Sequence, residues 1–133
     1  MRFWALEALT KAGFDLERLA VALPTVDPST VPVRVASRSF RLFWAKGISA
    51  VAMPWGIYVH PARLGRPAAD IGNLMVHELA HIEQWRRLGT FGWVRSYIGD
   101  YLRGRRKGLG HHGAYRAIRL EKEARDVVAR LGT

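Results

Sequence analysis

A chain of 133 residues, 49% hydrophobic and 24% charged, has the composition of one folded domain, which excludes a disordered tail. Zero cysteines exclude disulfides and thiolate ligands, so any metal must be held by His, Asp or Glu. The formal charge of +10 favours phosphate-rich or acidic surfaces and anionic substrates without fixing a partner, and no apolar run approaches the roughly 20 residues of a helical membrane span.

The opening residues place Glu7 inside what would be a signal peptide's apolar core, so the expected compartment is the cytoplasm. Residues 3–23 read as an amphipathic helix with Leu6, Leu9, Phe14, Leu16, Leu19 and Leu23 as its apolar positions and Gly13 as a point of division. Pro24, Pro28 and Pro32 enforce an extended connection. Residues 33–35, 39–44, 49–53 and 56–60 favour strands, with Lys46-Gly47 and Pro54-Trp55-Gly56 as turns, giving a mixed or antiparallel sheet of three or four strands. Phe40, Phe43 and Trp44, beside Arg38 and Arg41, fit alternate strand positions facing a core more cheaply than a base-stacking platform.

Residues 61–67 form the next loop. Asp70 is the expected cap of a helix running to Leu88, with Gly89 as its stop. A further helix covers residues 91–102, residues 103–110 form a glycine-rich basic loop, and residues 114–131 are the last helix. N-terminal helix, sheet, then helices is an α+β order, here one domain over residues 1–133.

His77-Glu78-Leu79-Ala80-His81 lies in a stretch, residues 71–82, that is apolar on nearly every side. Such a helix is buried. A carboxylate and two imidazoles are costly there unless a divalent cation satisfies them together. Positions i and i+4 share a helix face, so both imidazoles can hold one ion while Glu78 reaches the ion's water, the layout of a zinc peptidase. The competing reading makes His77 and His81 core histidines bonded to backbone.

Catalytic zinc takes three protein ligands, and Asp100, His111, His112, Glu121, Glu123 and Asp126 are the candidates for the third. At 100° per residue, Glu121 falls among Ala117 and Val128 on the apolar side of the last helix, whereas Glu123 points about 160° away among arginines and Asp126 lies off the stripe. Glu121 is thus a second carboxylate on a buried face. The alternatives are an i+4 ion pair with Arg125, or His111 or His112 as ligand.

The five-residue motif from His77 to His81, followed by Tyr115 and Glu121-Lys122-Glu123-Ala124 on a later helix, resembles the gluzincin class of zinc metallopeptidases across residues 70–126, especially the small single-domain minigluzincins. The resemblance implies His77, His81 and Glu121 as zinc ligands and Glu78 as general base. It also implies an edge strand that pairs with extended substrate, a role for residues 56–60. Many members carry an acid four residues after the third ligand to orient a histidine; this chain has Arg125.

The expected function is therefore zinc-dependent hydrolysis of peptide bonds, with Zn2+ as cofactor and a peptide or protein as substrate. Tyr115, His111, His112, Tyr97 and Tyr101 can each steady the developing oxyanion, and Tyr115 and His112 are favoured because they closely precede Glu121. Gln84, one turn beyond His81, fits packing or exposure better than cleft lining. The alternative function is a basic binding module with a structural or degenerate zinc site, contacting nucleic acid or an anionic surface through Arg103, Arg105, Arg106 and Lys107.

Overall fold

The computed structural model describes residues 2–44 and 47–131. Strand β1 (Arg2–Trp4) leads into α1 (Ala5–Ala12) and α2 (Leu16–Ala22). Then come β2 (Pro32–Val35), a single-turn α3 (Arg38–Arg41), and the hairpin of β3 (Ala50–Met53) and β4 (Gly56–Val59). Helices α4 (Ala68–Arg106), α5 (His111–Arg116) and α6 (Arg119–Leu131) follow, so the fold is α+β.

The helix expected from Phe3 starts two residues later, because Phe3 pairs with Val33 of β2 in antiparallel register and aromatic side chains suit a pleated surface. It divides at Gly13, and Asp15 then caps α2 by accepting from the amides of Glu17 and Arg18 at 3.0 and 3.2 Å.

The sheet is mixed, in the order β1-β2-β4-β3. β2 and β4 run parallel, with Val33 opposite Ile57, while β3 and β4 form an antiparallel hairpin closed by Pro54-Trp55. Residues 56–60 are therefore not the edge expected beside substrate: β2 occupies the far side of β4, and the open edge belongs to β3. The apolar content of β4 explains its interior place, since Ile57 and Val59 are both core residues.

Residues 39–44 do not form a strand. The Ser37 hydroxyl accepts from the Phe40 amide at 3.1 Å and caps one helical turn. Phe40 and Trp44, four residues apart, then meet edge-on at 5.7 Å, and Phe40 packs against Tyr58 of β4 at 4.9 Å. The i, i+4 spacing of these aromatics was open to a period-two reading until the cap decided it. Phe43 is not in the core but exposed. Lys46, of the expected Lys46-Gly47 turn, lies outside the described residues.

α4 begins at Ala68 behind Pro67, with no side-chain cap, and Asp70 sits in its first turn, where a negative charge suits the helix dipole. At Gly89, the expected stop, one helical limb of α4 ends and a second begins across a kink, with φ 75° and ψ 164°, a combination open in practice only to glycine. Beyond the bend α4 continues to Arg106, so Arg103, Arg105 and Arg106 are helical and only residues 107–110 remain as connection. Gly104 permits this extension: a Cβ there would sit 3.0 Å from the Ala114 Cα of α5. The last helix starts earlier than expected, at His111, and breaks before Arg119, whose backbone N–H donates to the buried Asp100 carboxylate of α4 at 3.0 Å.

Leu9 of α1, Val33 and Ile57 of the sheet, Met75, Leu79 and Ile82 of α4, and Ala124 and Val127 of α6 share one core cluster. Each large apolar side chain buried there contributes about 1.5–3 kcal/mol. α4 is the spine, packing against α1, β3, α5 and α6. No helix among the described residues is long and apolar enough to cross a membrane.

Candidate metal centre

His77 and His81 occupy successive turns of α4 on the face that meets α6. Their Nε2 atoms lie 3.2 Å apart. Glu121 of α6 reaches both, with Oε1 3.0 Å from His77 Nε2 and Oε2 3.0 Å from His81 Nε2. The ligand-capable atoms of the three residues all fall within 4.8 Å of one another. Glu121 is 3% exposed, as its helical phase requires.

The competing assignments fall elsewhere. Arg125 donates to the Arg116 carbonyl at 2.7 Å and not to Glu121. Glu123 pairs with Arg87 at 2.8 Å, and Asp126 is exposed. Asp100 is buried but engaged by Arg119 and Arg103, and the Arg119 hydrogen bonds hold its carboxyl at about 2 despite burial. His111 and His112 line the same cleft from α5 without joining the ligand trio.

The hydrogen bonds around His81 fix its tautomer. Gln84 is fully buried, and its amide nitrogen donates to the Leu120 carbonyl at 2.9 Å, which turns its oxygen toward His81 Nδ1, also at 2.9 Å. Nδ1 therefore carries a hydrogen in both the neutral and the charged ring, and Nε2, which faces His77 and Glu121, is the nitrogen left to hold a metal once it gives up its proton. Trp93 Nε1 donates to the same Gln84 oxygen at 3.3 Å. Gln84 thus orients His81 from α4 itself. The i+3 spacing of His81 and Gln84 was the signal for it, on a shared helix face.

Burial opposes charge on Glu121, yet the hydrogen bonds with His77 and His81 hold its carboxyl well below the usual range. Burial likewise opposes charge on His81, but the Glu121 bond and the nearby carboxylates lift it to about 9. A proton shared by lone pairs and a carboxylate marks a place a cation can take. Two neutral imidazoles and one carboxylate oxygen are a donor set that suits zinc and leaves a fourth position free.

Glu78 is 5% exposed and stands outside the trio. Burial pushes its carboxyl up, partly countered by His81 and His77. It shares with the trio a cleft of about 1050 Å³, one wall of which is the edge strand β3 through Ala50, Val51 and Ala52. Tyr97 and Tyr115 face the cleft as well. The Tyr97 hydroxyl donates to Glu121 Oε2 at 2.9 Å; Tyr115 lies near the same carboxylate without so direct a bond. Burial first, and then the Glu121 charge, raise both phenols, so both keep their protons. Tyr101 instead bonds His111 Nδ1 at 2.8 Å.

Tyr97 reaches the centre only because α4 bends. Trp85 and Trp93 stack at 4.2 Å across Gly89, and Trp93 stacks on Tyr97 at 4.7 Å. In a straight helix, residues eight apart are separated by about 12 Å. Trp93 was missed by sequence reasoning, since nothing local says in which direction the limb beyond Gly89 runs. The Trp85 indole N–H donates to the Ala52 carbonyl at 3.3 Å, tying the aromatic stack to β3. Comparison with family models, curated proteins and solved structures finds no match to this chain.

Proposed function

We propose that this chain is a zinc-dependent metallopeptidase in the manner of the gluzincins. The observation that carries the reading is the convergence of His77, His81 and Glu121 on one point of an open cleft, with the buried carboxyl of Glu78 beside it. A structural site closes its coordination sphere and has no use for such a carboxyl or for a cleft of substrate size.

Zinc held by His77, His81 and Glu121 would polarise a peptide carbonyl and lower the pKa of a water toward neutrality. Glu78 takes the proton of the attacking water and passes it to the leaving amine. Burial raises its carboxyl, the direction that makes it a stronger proton acceptor. Tyr115 or His112 donates to the developing oxyanion, and Tyr97 holds Glu121 in place. The edge of β3 can pair with an extended peptide laid along the cleft.

Zinc titration of metal-free protein and hydrolysis of a broad peptide library test the reading together. Zinc binding should be lost in Glu121→Ala and kept in His111→Ala and His112→Ala. Glu78→Gln should keep zinc and fold but lower hydrolysis at least about hundredfold. Zinc-loaded wild type that cleaves no peptide would sink the proposal.

A further inference from the structure

Beyond Gly89, residues 90–106 of α4 form a straight helix about 25 Å long. Its outward face is unusual: Phe91 is 79% exposed and Ile98 51%, and Val94 and Leu102 are exposed with them. At 100° per residue these four lie within about 60° of one line along the helix, opposite the buried Asp100. Arg95, Arg105 and Arg106 project within the same arc, and Lys107 follows at its end. None of these four cations makes an ion pair among the described residues. The one acid of the segment, Asp100, is consumed by Arg103 and Arg119. The solvent side of this helix is therefore apolar and cationic together.

We propose that this face of α4 docks the protein onto the surface of an anionic bilayer. The four apolar side chains enter the boundary between headgroups and acyl chains, and the arginines reach back along the helix to lipid phosphates. Charge complementarity selects this occupant. A second copy of the chain would bring Arg95, Arg105 and Arg106 against their own kind with no acid to meet them. A nucleic acid would meet the cations but leave Val94, Ile98 and Leu102 without a stacking partner. The inference is independent of the peptidase reading, because none of these residues belongs to the zinc trio.

Full-length protein sedimented with phosphatidylglycerol–phosphatidylcholine vesicles, and separately with pure phosphatidylcholine vesicles, provides the test. Binding should require phosphatidylglycerol and weaken as salt is raised. Ile98→Asn with Leu102→Asn should weaken it at least about tenfold, and neutralising Arg95, Arg105 and Arg106 to glutamine about fivefold for each cation removed. All five positions are exposed, and unchanged thermal unfolding and zinc content would show that the fold and metal centre survive. Three results would overturn the proposal: no binding to phosphatidylglycerol vesicles, binding indifferent to the Ile98 and Leu102 changes, or a dimer in light scattering that the same changes dissolve.

Discussion

At His81 the bond from Nδ1–H to Gln84 decides which nitrogen carries the hydrogen, and Gln84 is itself locked by its bond to the Leu120 carbonyl. Gln84→Leu should therefore lower zinc affinity about 10–100-fold, read by competition with a chelator. Gln84→Glu, which keeps an acceptor for His81 while giving up the Leu120 bond, should lose less. The proton near His81 makes a second prediction. In zinc-free protein its pKa is raised to about 9 from an ordinary 6.5, so the stability it contributes is whole below 6.5 and fades as pH rises through about 9. Zinc must displace that proton, so zinc affinity should climb across the same window and level off above it. Titrations at several pH values check this; an affinity flat from pH 6 to 9 counts against the site.

At the scale of elements, α4 places both halves of the centre. Its first limb carries His77, Glu78, His81 and Gln84, and its second carries Trp93 and Tyr97 back toward them. The bend rests on Gly89 alone, where an added Cβ would meet nothing within 4 Å. Gly89→Ala should accordingly cost about 1–3 kcal/mol through backbone strain without crowding, measured by denaturant unfolding. Loss of near-ultraviolet circular dichroism from the Trp85–Trp93–Tyr97 stack should accompany it. Asp100 does for α6 what Gly89 does for α4: by accepting from the Arg119 amide it fixes where α6 begins, two residues before Glu121.

Over the whole molecule, the trio links α4 to α6, two elements that also share the core. A metal bound only by the folded chain should stabilise it by about 4 kcal/mol when free zinc is near a thousand times Kd. Stripping zinc should lower the thermal midpoint of wild type and leave Glu121→Ala unmoved, as calorimetry can record. The faces that carry the trio were legible in the sequence, because helical phase is local: it puts His77 over His81 and Glu121 among alanine and valine, and folding then brings the two helices together. The stretches misread were those whose outcome depends on a competing local cap or on distant partners. Whether 39–44 is strand or helix turned on a Ser37 cap and on packing against Tyr58, and whether β3 or β4 is the edge turned on where β2 docks.

By itself the sequence determined the α+β order, the buried helix carrying His77, Glu78 and His81, and the buried phase of Glu121, since periodicity and side-chain chemistry act over a few residues. Only the tertiary structure decided that the limb beyond Gly89 turns back toward the centre, that the Leu120 carbonyl turns Gln84 toward His81, that Tyr97 reaches Glu121, and that β3 forms the cleft wall. Each of those outcomes is a hydrogen bond, a stack or a strand pairing between residues brought together by folding, and no local pattern records a contact with a partner tens of residues away.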